Sequence, residues 1–380
     1  MSIVSDYFSF QNGYAFKSKD FVRNGKYAII RIKELKDGGV KFFEDTARTN
    51  PEDSFNINKY IVKKGDVLFA LTGDPVNKTN PLSWVGRVSY YNHDTPALLN
   101  QRVCKAIPKN KVSNEFLYYF FRQNEEFYNL ASKATGSASQ ANISTKTIEQ
   151  HIMEIPDEDI RKKIVFMLLN IDMKIDVNNR INDNLEQQII TIFDKLFSDL
   201  IIDKSLFVPM GEIADFKYGT MPKKDKIQET GYPIFSGYKI VGYYPEKMFE
   251  NPQLIIVARG VGGCGDVKFT PKDCYLTNLS IAIIPSDLRH ELYMFYYLKQ
   301  QDMKILNTGS AQPQITISSL ANYNIPIPNI EDIETFNSFA VPFVEMVRKN
   351  EIEIKQLSNL RDFLLPRLMS GEIDISDIHL

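Results

Sequence analysis

The sequence predicts an α+β protein built from two copies of one unit, in which an arm of strands and short helices is followed by a long helix. The tetrapeptide Thr-Gly-Ser-Ala at residues 135–138 recurs at residues 308–311, an offset of 173 (308 − 135). Residues 143–156, which end in Ile-Pro, recur as residues 315–328 at an offset of 172 (328 − 156). A helical pattern follows each copy, so the duplication indicates a repeat architecture.

The repeat extends through both arms in a constant order. Three further matching pairs are residues 10–13 with 216–219, an apolar strand at 67–70 with 254–257, and an aromatic helix at 116–122 with 293–299. Each match is weak by itself, because short apolar runs recur by chance. Their common order along the chain is what supports a duplication.

The two arms differ in length. The offset falls from 206 at Gly13 (219 − 13) to 172 at Pro156 (328 − 156), so the first arm is 34 residues longer (206 − 172). Much of the extra length lies in polar connections near the first strands, such as residues 36–39 and 50–53. Loops carry recognition while a scaffold holds them. The arms are therefore predicted to bind related but unequal targets.

The helical segments complete the predicted domain division. The domains are residues 1–156 (first arm), 157–206 (central helix), 207–328 (second arm) and 329–380 (C-terminal helix). Apolar residues recur at spacings of three and four along both helices, as in a coiled-coil seam. Asn178 and Asn350 occupy corresponding places in the seam, where a buried Asn fixes register. The residues predicted to pack the helices or dock a partner are Ile171, Ile175, Asn178, Leu185, Phe343, Val347, Asn350 and Leu357. Two ordinary amphipathic core helices are the alternative.

Composition narrows the class of protein. Hydrophobic residues make up 43% and charged residues 24%, and the net charge is −2. No apolar run approaches the roughly 18 residues of a membrane span, and the N-terminus lacks the pattern of a signal peptide. Three cysteines form a sparse, odd set that favours a reducing cytoplasm over a disulfide framework. If DNA is the partner, the basic groups must be local, or another subunit must neutralise much of the phosphate charge.

The sequence offers no convincing catalytic or metal site. Residues 260–265 fit G-x-G-x-x-G, but a strand or turn sequence follows them where a dinucleotide site needs a helix. We interpret them as a glycine-rich hairpin. The four histidines have no Cys or carboxylate neighbours at metal-binding spacing. The acidic residues 157–159 are explained by favourable charge at a helix N-terminus better than by a nuclease centre.

Both arms contain basic and amide side chains beside glycines, a combination suited to phosphate contacts and to reading base edges. In the first arm the candidate DNA-binding residues are Lys17, Arg31, Thr72, Gly73, Arg87, Arg102, Gly136, Ser137 and Gln140. In the second arm they are Lys217, Tyr218, Lys223, Lys224, Tyr238, Arg259, Lys268, Gly309, Ser310, Gln312 and Gln314. A solvated surface charge is the alternative for any one of them, and a shared folding role is the alternative for the paired Thr-Gly-Ser loops.

These features together resemble the specificity subunits of type I restriction–modification systems. The resemblance covers nearly the whole chain. It rests on the two arms, their Ile-Pro junctions, the long helices, and above all the run Leu-Leu-Pro-Arg-Leu-Met-Ser-Gly-Glu-Ile at residues 364–373. It implies that each arm is a target-recognition domain of mixed α/β structure. The helices are then expected to pack as an antiparallel spacer with a pseudo-two-fold axis.

The same resemblance implies the function and the partners. A non-catalytic subunit would read one half of an asymmetric bipartite DNA site with each arm and would seat two methyltransferase subunits. Those subunits would use S-adenosylmethionine to methylate adenine, and restriction subunits joined through them would use ATP and Mg²⁺. The chain itself would bind no cofactor. The alternatives are a self-contained DNA methyltransferase or nuclease with a divergent active site, and a structural scaffold whose two arms bind protein.

Overall fold

The computed structural model describes residues 2–52, 55–78, 80–110, 112–137, 139–260, 263–308 and 313–378. The chain divides into two compact units. The first consists of Met1–Asp176 with Ile354–Leu380, and the second of Val177–Glu353. Each unit therefore contains one arm together with part of each long helix. In the described part of the chain, no helix is long and apolar enough to cross a membrane.

The first unit contains three small sheets. Its strands are β1 (Phe8–Asn12), β2 (Tyr27–Ile30), β3 (Leu35–Lys36), β4 (Gly39–Val40), β5 (Arg48–Thr49), β6 (Ile61–Val62), β7 (Val67–Ala70), β8 (Thr72–Gly73), β9 (Val88–Tyr90), β10 (Ala97–Leu99), β11 (Val103–Pro108), β12 (Thr135–Ser137) and β13 (Gln140–Asn142). They are ordered β1-β11-β7-β9-β4-β3, β5-β2-β10-β6 and β12-β13-β8. The helices of this arm are α1 (Asn114–Arg122), α2 (Asn124–Ala131) and α3 (Thr145–Glu149).

The core of the first unit lies between α1 and the largest sheet. All four residues of β7 are buried, as a run of apolar residues in a central strand requires. Phe69 of β7 meets Phe121 of α1 edge to face, with ring centroids 5.1 Å apart. Ser113 caps α1 by accepting a hydrogen bond from the Phe116 amide. The apolar side chains of α1 and of the largest sheet therefore pack against each other and form the core.

The second unit uses the same plan with fewer strands. They are β14 (Phe207–Pro209), β15 (Ala214–Tyr218), β16 (Tyr232–Phe235), β17 (Ile240–Tyr244), β18 (Leu254–Val257), β19 (Val267–Phe269), β20 (Tyr275–Leu276), β21 (Ser280–Pro285) and β22 (Asn324–Pro326). Their sheets are β14-β22, β15-β21-β18-β19 and β17-β16-β20. The two long helices are α4 (Glu158–Ile202) and α7 (Ile330–Met369), and the short helices of this arm are α5 (Glu291–Gln300) and α6 (Ile317–Ala321).

Strand order confirms the predicted repeat. The antiparallel series β1-β11-β7-β9 of the first unit corresponds to β15-β21-β18-β19 of the second. The parallel pair of β2 with β10 likewise corresponds to the pair of β16 with β20. The extra residues of the first arm supply the β3–β4 hairpin, which extends its largest sheet. The fold is thus the predicted α+β duplication with unequal connections.

Matching glycines show why the repeat keeps certain positions. A Cβ atom on Gly13 would overlap the carbonyl oxygen of Asn100, and one on Gly219 would overlap that of Thr277. Both glycines follow the first strand of their largest sheet and let the chain pass against the turn after the parallel strand. Only glycine permits so close an approach of two backbones.

Within each unit the long helices pack antiparallel. In the first unit, Arg361 of α7 pairs with Asp172 of α4 at 2.8 Å, and Lys163 of α4 donates to the Ser376 carbonyl beyond the end of α7 at 2.7 Å. Residue 172 thus lies beside residue 361, and residue 163 lies beside residue 376, so the two helices run in opposite directions. Apolar side chains of both helices join the core of each arm, so the helices are an integral part of both units.

Polar contacts in the second unit involve the two asparagines singled out in the seam. Asn178, which is 1% exposed, donates to Glu353 at 2.9 Å. Asn350 donates to Asn182 at 2.7 Å. Of the eight residues predicted for helix packing or docking, Asn178 and Leu185 are buried, and the other six are half-buried. Side-chain hydrogen bonds of this kind form in one register of the two helices and are lost when the register changes.

Candidate nucleic-acid interface

A cleft of about 590 Å³ opens on the first arm. It collects five residues that the sequence predicts as DNA contacts, namely Thr72, Gly73, Arg87, Arg102 and Gln140. Its other lining residues are Ile32, Lys33, Lys36, Asp74, Ser83 and Ser139. The fold thus joins segments that are far apart in the sequence into one polar, largely basic surface.

Strand pairing places Thr72 beside the Thr-Gly-Ser hairpin. Strand β8 pairs antiparallel with β13, with Thr72 opposite Asn142. The Thr72 hydroxyl donates to the Asn142 side-chain oxygen at 2.8 Å. Gln140 begins β13 and is exposed. The hairpin formed by β12 and β13 therefore presents its amide side chain at the cleft.

Arg87 occupies the turn that leads into β9. Its guanidinium donates to the Leu82 carbonyl, while its Nε is buried and has no hydrogen-bond partner among the described residues. Burial lowers the pKa of Arg87, and the carboxylates of Asp74 and Asp37 act in the opposite direction. The Arg87 side chain lines the cleft, and a guanidinium is a group suited to contacting a guanine edge or a phosphate.

Sequence reasoning missed five lining residues, namely Ile32, Lys33, Lys36, Asp74 and Ser83. The two lysines lie in the region where the first arm is longer than the second, so the length difference was the signal for them. Lys33 also forms an ion pair with Asp45 at 2.6 Å. Nothing in the sequence pattern distinguished Asp74 or Ser83 from ordinary loop residues.

The remaining candidates of the first arm do not line this cleft. Arg31 bonds at 3.1 Å to Glu34, which is fully buried, and so stabilises the turn Ile32–Glu34. Lys17 is exposed at the start of the turn Ser18–Asp20. Gly136 and Ser137 form exposed positions of β12.

Four candidates of the second arm form a corresponding cluster. The Tyr238 hydroxyl donates to the Arg259 carbonyl at 2.8 Å, and the Lys268 ammonium lies 5.7 Å from the centre of the Tyr238 ring. The backbones of Arg259 and Gln314 pair as an isolated antiparallel β-bridge. The Arg259 Nε is buried, and the described part of the chain supplies no hydrogen-bond acceptor for it. We call Tyr238, Arg259, Lys268 and Gln314 the second-arm cluster.

Backbone pairing shows that the second-arm cluster stands at the place of the first cleft. Thr72 opposite Asn142 corresponds to Arg259 opposite Gln314. The hydrogen bonds that follow these pairs also correspond, since the amides of Ile143 and Ile315 donate to the residues preceding Thr72 and Arg259. The two arms therefore present the same surface with different side chains.

The remaining second-arm candidates are spread more widely. Lys217 lies in β15 and its ammonium is 6.0 Å from the centre of the Phe249 ring. The Tyr218 hydroxyl accepts from the Ile317 amide at 3.3 Å, which ties it to the start of α6. Lys223 and Lys224 are exposed. Three candidates, Gly309, Ser310 and Gln312, lie outside the described residues.

Within the described ranges, no group of three or more His, Cys, Asp or Glu side chains is placed to hold a metal ion. All three cysteines are buried and free. What both arms share is a set of donors, amides and cations around a surface strand, which suits recognition of a polar, anionic partner.

Comparison with known proteins defines the class. The family model described as the type I restriction modification DNA specificity domain matches residues 2–187 and 203–356. The chain belongs to this family, with one match for each repeat, and the resemblance seen in the sequence is confirmed. DNA sequence recognition by two domains is the function that this family assignment supports.

Relatives match over nearly the full length. The chain is 23% identical to the type I restriction enzyme MjaIX specificity subunit of Methanocaldococcus jannaschii, covering 95% of this chain and 94% of that protein. It is 22% identical to the HindI specificity subunit of Haemophilus influenzae, covering 86% and 90%. The solved S subunit of a type I restriction–modification system from M. genitalium aligns with a TM-score of 0.65 at 19% identity, covering 97% of this chain and 95% of that one. This last likeness confirms the fold.

Proposed function

We propose that this chain is the non-catalytic DNA-recognition subunit of a type I restriction–modification complex, in which each arm reads a different half of a bipartite site. The observation that carries the asymmetry is a reversal of charge at one equivalent position. The Ala70 amide donates to the Arg87 carbonyl at 2.9 Å, and the Val257 amide donates to the Asp266 carbonyl at 2.8 Å. Arg87 in the first arm is thus replaced by Asp266 in the second.

A second difference points the same way. Thr72 in the first arm corresponds to Arg259 in the second, so the arginines of the two arms, Arg87 and Arg259, occupy different positions on the corresponding surfaces. Arginine favours guanine in the major groove and glutamine favours adenine. Surfaces that present these groups at different places favour different base sequences, as an asymmetric site requires.

The long helices are proposed to set the spacing of the half-sites and to dock two methyltransferase subunits. Large apolar side chains lie exposed along both helices, and examples are Phe166, Met173, Phe339 and Met346. Exposed apolar surface of this kind is typical of interaction sites. The net charge of −2 also supports a complex in which partner subunits add phosphate contacts.

The proposed complex includes chemistry carried by its partners. The methyltransferase subunits would bind S-adenosylmethionine and methylate adenine, and restriction subunits, where present, would use ATP and Mg²⁺. The complex would act in the cytoplasm, a compartment in which three free, buried cysteines are stable as thiols. This chain would contribute binding and geometry only.

The test is methylome sequencing of cells that express the chain with its methyltransferase partners. We expect a bipartite, non-palindromic motif. Arg87→Ala should relax one position in one half and Arg259→Ala one position in the other, each by about 1–3 kcal/mol of discrimination. Lys272→Gln, at an exposed lysine outside both surfaces, should leave the motif unchanged. A continuous palindrome, or one variant altering both halves, would contradict the proposal.

Two measurements address the alternatives. Tight binding of S-adenosylmethionine by the isolated chain, measured by calorimetry, would favour a self-contained methyltransferase. Binding of the assembled complex to duplex DNA should weaken steeply as salt is raised, because phosphate contacts release counterions. Indifference to salt would favour a protein-binding scaffold.

A further inference from the structure

One acidic residue stands in the otherwise basic first cleft. Asp74 lines it together with Lys33, Lys36, Arg87 and Arg102. A carboxylate in a surface that binds DNA repels the phosphate backbone and so lowers affinity for every sequence. Its placement calls for a compensating role, which rests on the proposed function of the cleft as a DNA-binding surface.

The backbone around Asp74 is held on both sides. Its amide donates to the Ser83 carbonyl at 2.8 Å, and its carbonyl accepts from the Val85 amide at 3.0 Å. A Cβ atom on the preceding residue, Gly73, would lie 2.6 Å from the Val85 nitrogen, so the two segments approach as closely as glycine permits. The Asp74 side chain therefore projects from a rigid support, as precise readout requires.

Among the described residues, the Asp74 carboxylate has a charge interaction with Arg87 but no direct bonded partner. Across the described ranges, Asp74 forms no ion pair and no side-chain hydrogen bond. Arg87, another lining residue of the cleft, donates its hydrogen bond to the Leu82 carbonyl and not to Asp74. Folding of the loop uses the backbone of Asp74, and its carboxylate oxygens keep their acceptor capacity for an external donor.

We propose that Asp74 is a specificity-determining residue that accepts a hydrogen bond from the N4 amino group of a cytosine in the first half-site. Duplex DNA presents few donors in the major groove, and the cytosine amino group is the one that Asp and Glu select. Lys33 and Lys36 then offset the repulsion by contacting phosphates beside it. The neighbouring basic residues provide affinity, and Asp74 provides discrimination.

Substitution at Asp74 makes a directional prediction. Asp74→Asn keeps the size of the side chain but adds a donor, and asparagine selects adenine through its N6 and N7 atoms. We expect one cytosine of the first half-site to change toward adenine by about tenfold to a hundredfold in relative preference. Asp74→Ala should abolish preference at the same position. In both variants, binding to unrelated duplexes should become tighter, since a repulsive charge has been removed.

The experiment measures binding and methylation by the assembled complex on a library in which each base of both half-sites is varied. Lys36→Gln is the matched control in the same cleft and should weaken all sequences alike without changing the motif. Circular dichroism melting of each variant shows that it is folded. If Asp74→Ala proves unstable, Asp74→Asn decides the matter, because its backbone contacts and volume are retained.

Three results would overturn the inference. The first is a wild-type first half-site without cytosine, and the second is an unchanged motif in folded Asp74→Asn. The third is a change confined to the second half-site. Failure of the proposed function looks different, since the wild-type complex would then show no bipartite motif at all.

Discussion

Arg361 joins three elements of the first unit, and its removal should destabilise that unit measurably. The guanidinium of Arg361, in α7, pairs with Asp172 of α4 at 2.8 Å. The other oxygen of Asp172 accepts from the Tyr119 hydroxyl of α1, also at 2.8 Å. The Arg361 side chain is 10% exposed and that of Asp172 is 21% exposed. The recognition arm and both long helices are thus linked through one partly buried carboxylate.

The expected loss of unfolding free energy depends on the Asp172 carboxylate, which Arg361→Met leaves without its arginine partner. Removing one partner of a fully buried ion pair costs about 3–5 kcal/mol, because the other charge stays dehydrated and unpaired. Asp172 retains the Tyr119 hydrogen bond and some access to water, so the expected loss is lower, about 2–3 kcal/mol. The second ion pair of Arg361, with the well-exposed Asp362, should add less than about 1 kcal/mol.

The assay is urea unfolding of the full chain followed by tryptophan fluorescence. The single tryptophan, Trp84, lies in the first unit and packs on Phe127 with ring centres 5.9 Å apart, so its signal reports that unit. The double variant Asp172→Asn/Arg361→Met should lose at least about 1 kcal/mol less than the sum of the single losses. A loss below about 0.5 kcal/mol in Arg361→Met, or strict additivity, would refute the reasoning.

Two further predictions test the repeat and the core. Gly13→Ala and Gly219→Ala should each force a backbone carbonyl to move and cost about 1–3 kcal/mol or more. Tryptophan fluorescence should report the first variant and stay near wild type in the second, and a reversed pattern would contradict the assignment of Trp84 to one unit. Burial raises the pKa of the Cys104, Cys264 and Cys274 thiols, so a thiol reagent at pH 8 should react slowly with native protein and quickly in urea. Rapid labelling of the native chain would show that these thiols are accessible.

The sequence alone determined the repeat, the fold class and the family. Those inferences use local signals: apolar periodicity in helices, short strands bounded by turns, and the same order of motifs in both halves. The difference in length between the arms also predicted where extra structure would appear, and the β3–β4 hairpin lies there. Local pattern is reliable for such features because backbone geometry ties side-chain periodicity to the element that forms.

Tertiary structure decided which candidate residues act together. Gln140 lines the same cleft as Thr72 and Arg87 because β13 pairs with β8, and no local pattern encodes this pairing between distant parts of the chain. Arg31 looked equivalent to Arg87 in the sequence, yet a fully buried Glu34 engages it in holding a turn. The position of Asp74 among lysine and arginine side chains is likewise a property of the folded cleft and not of the local sequence. The physical reason is that strand pairing brings together segments whose chemistry is independent in the sequence, so the composition of the surface follows from the fold.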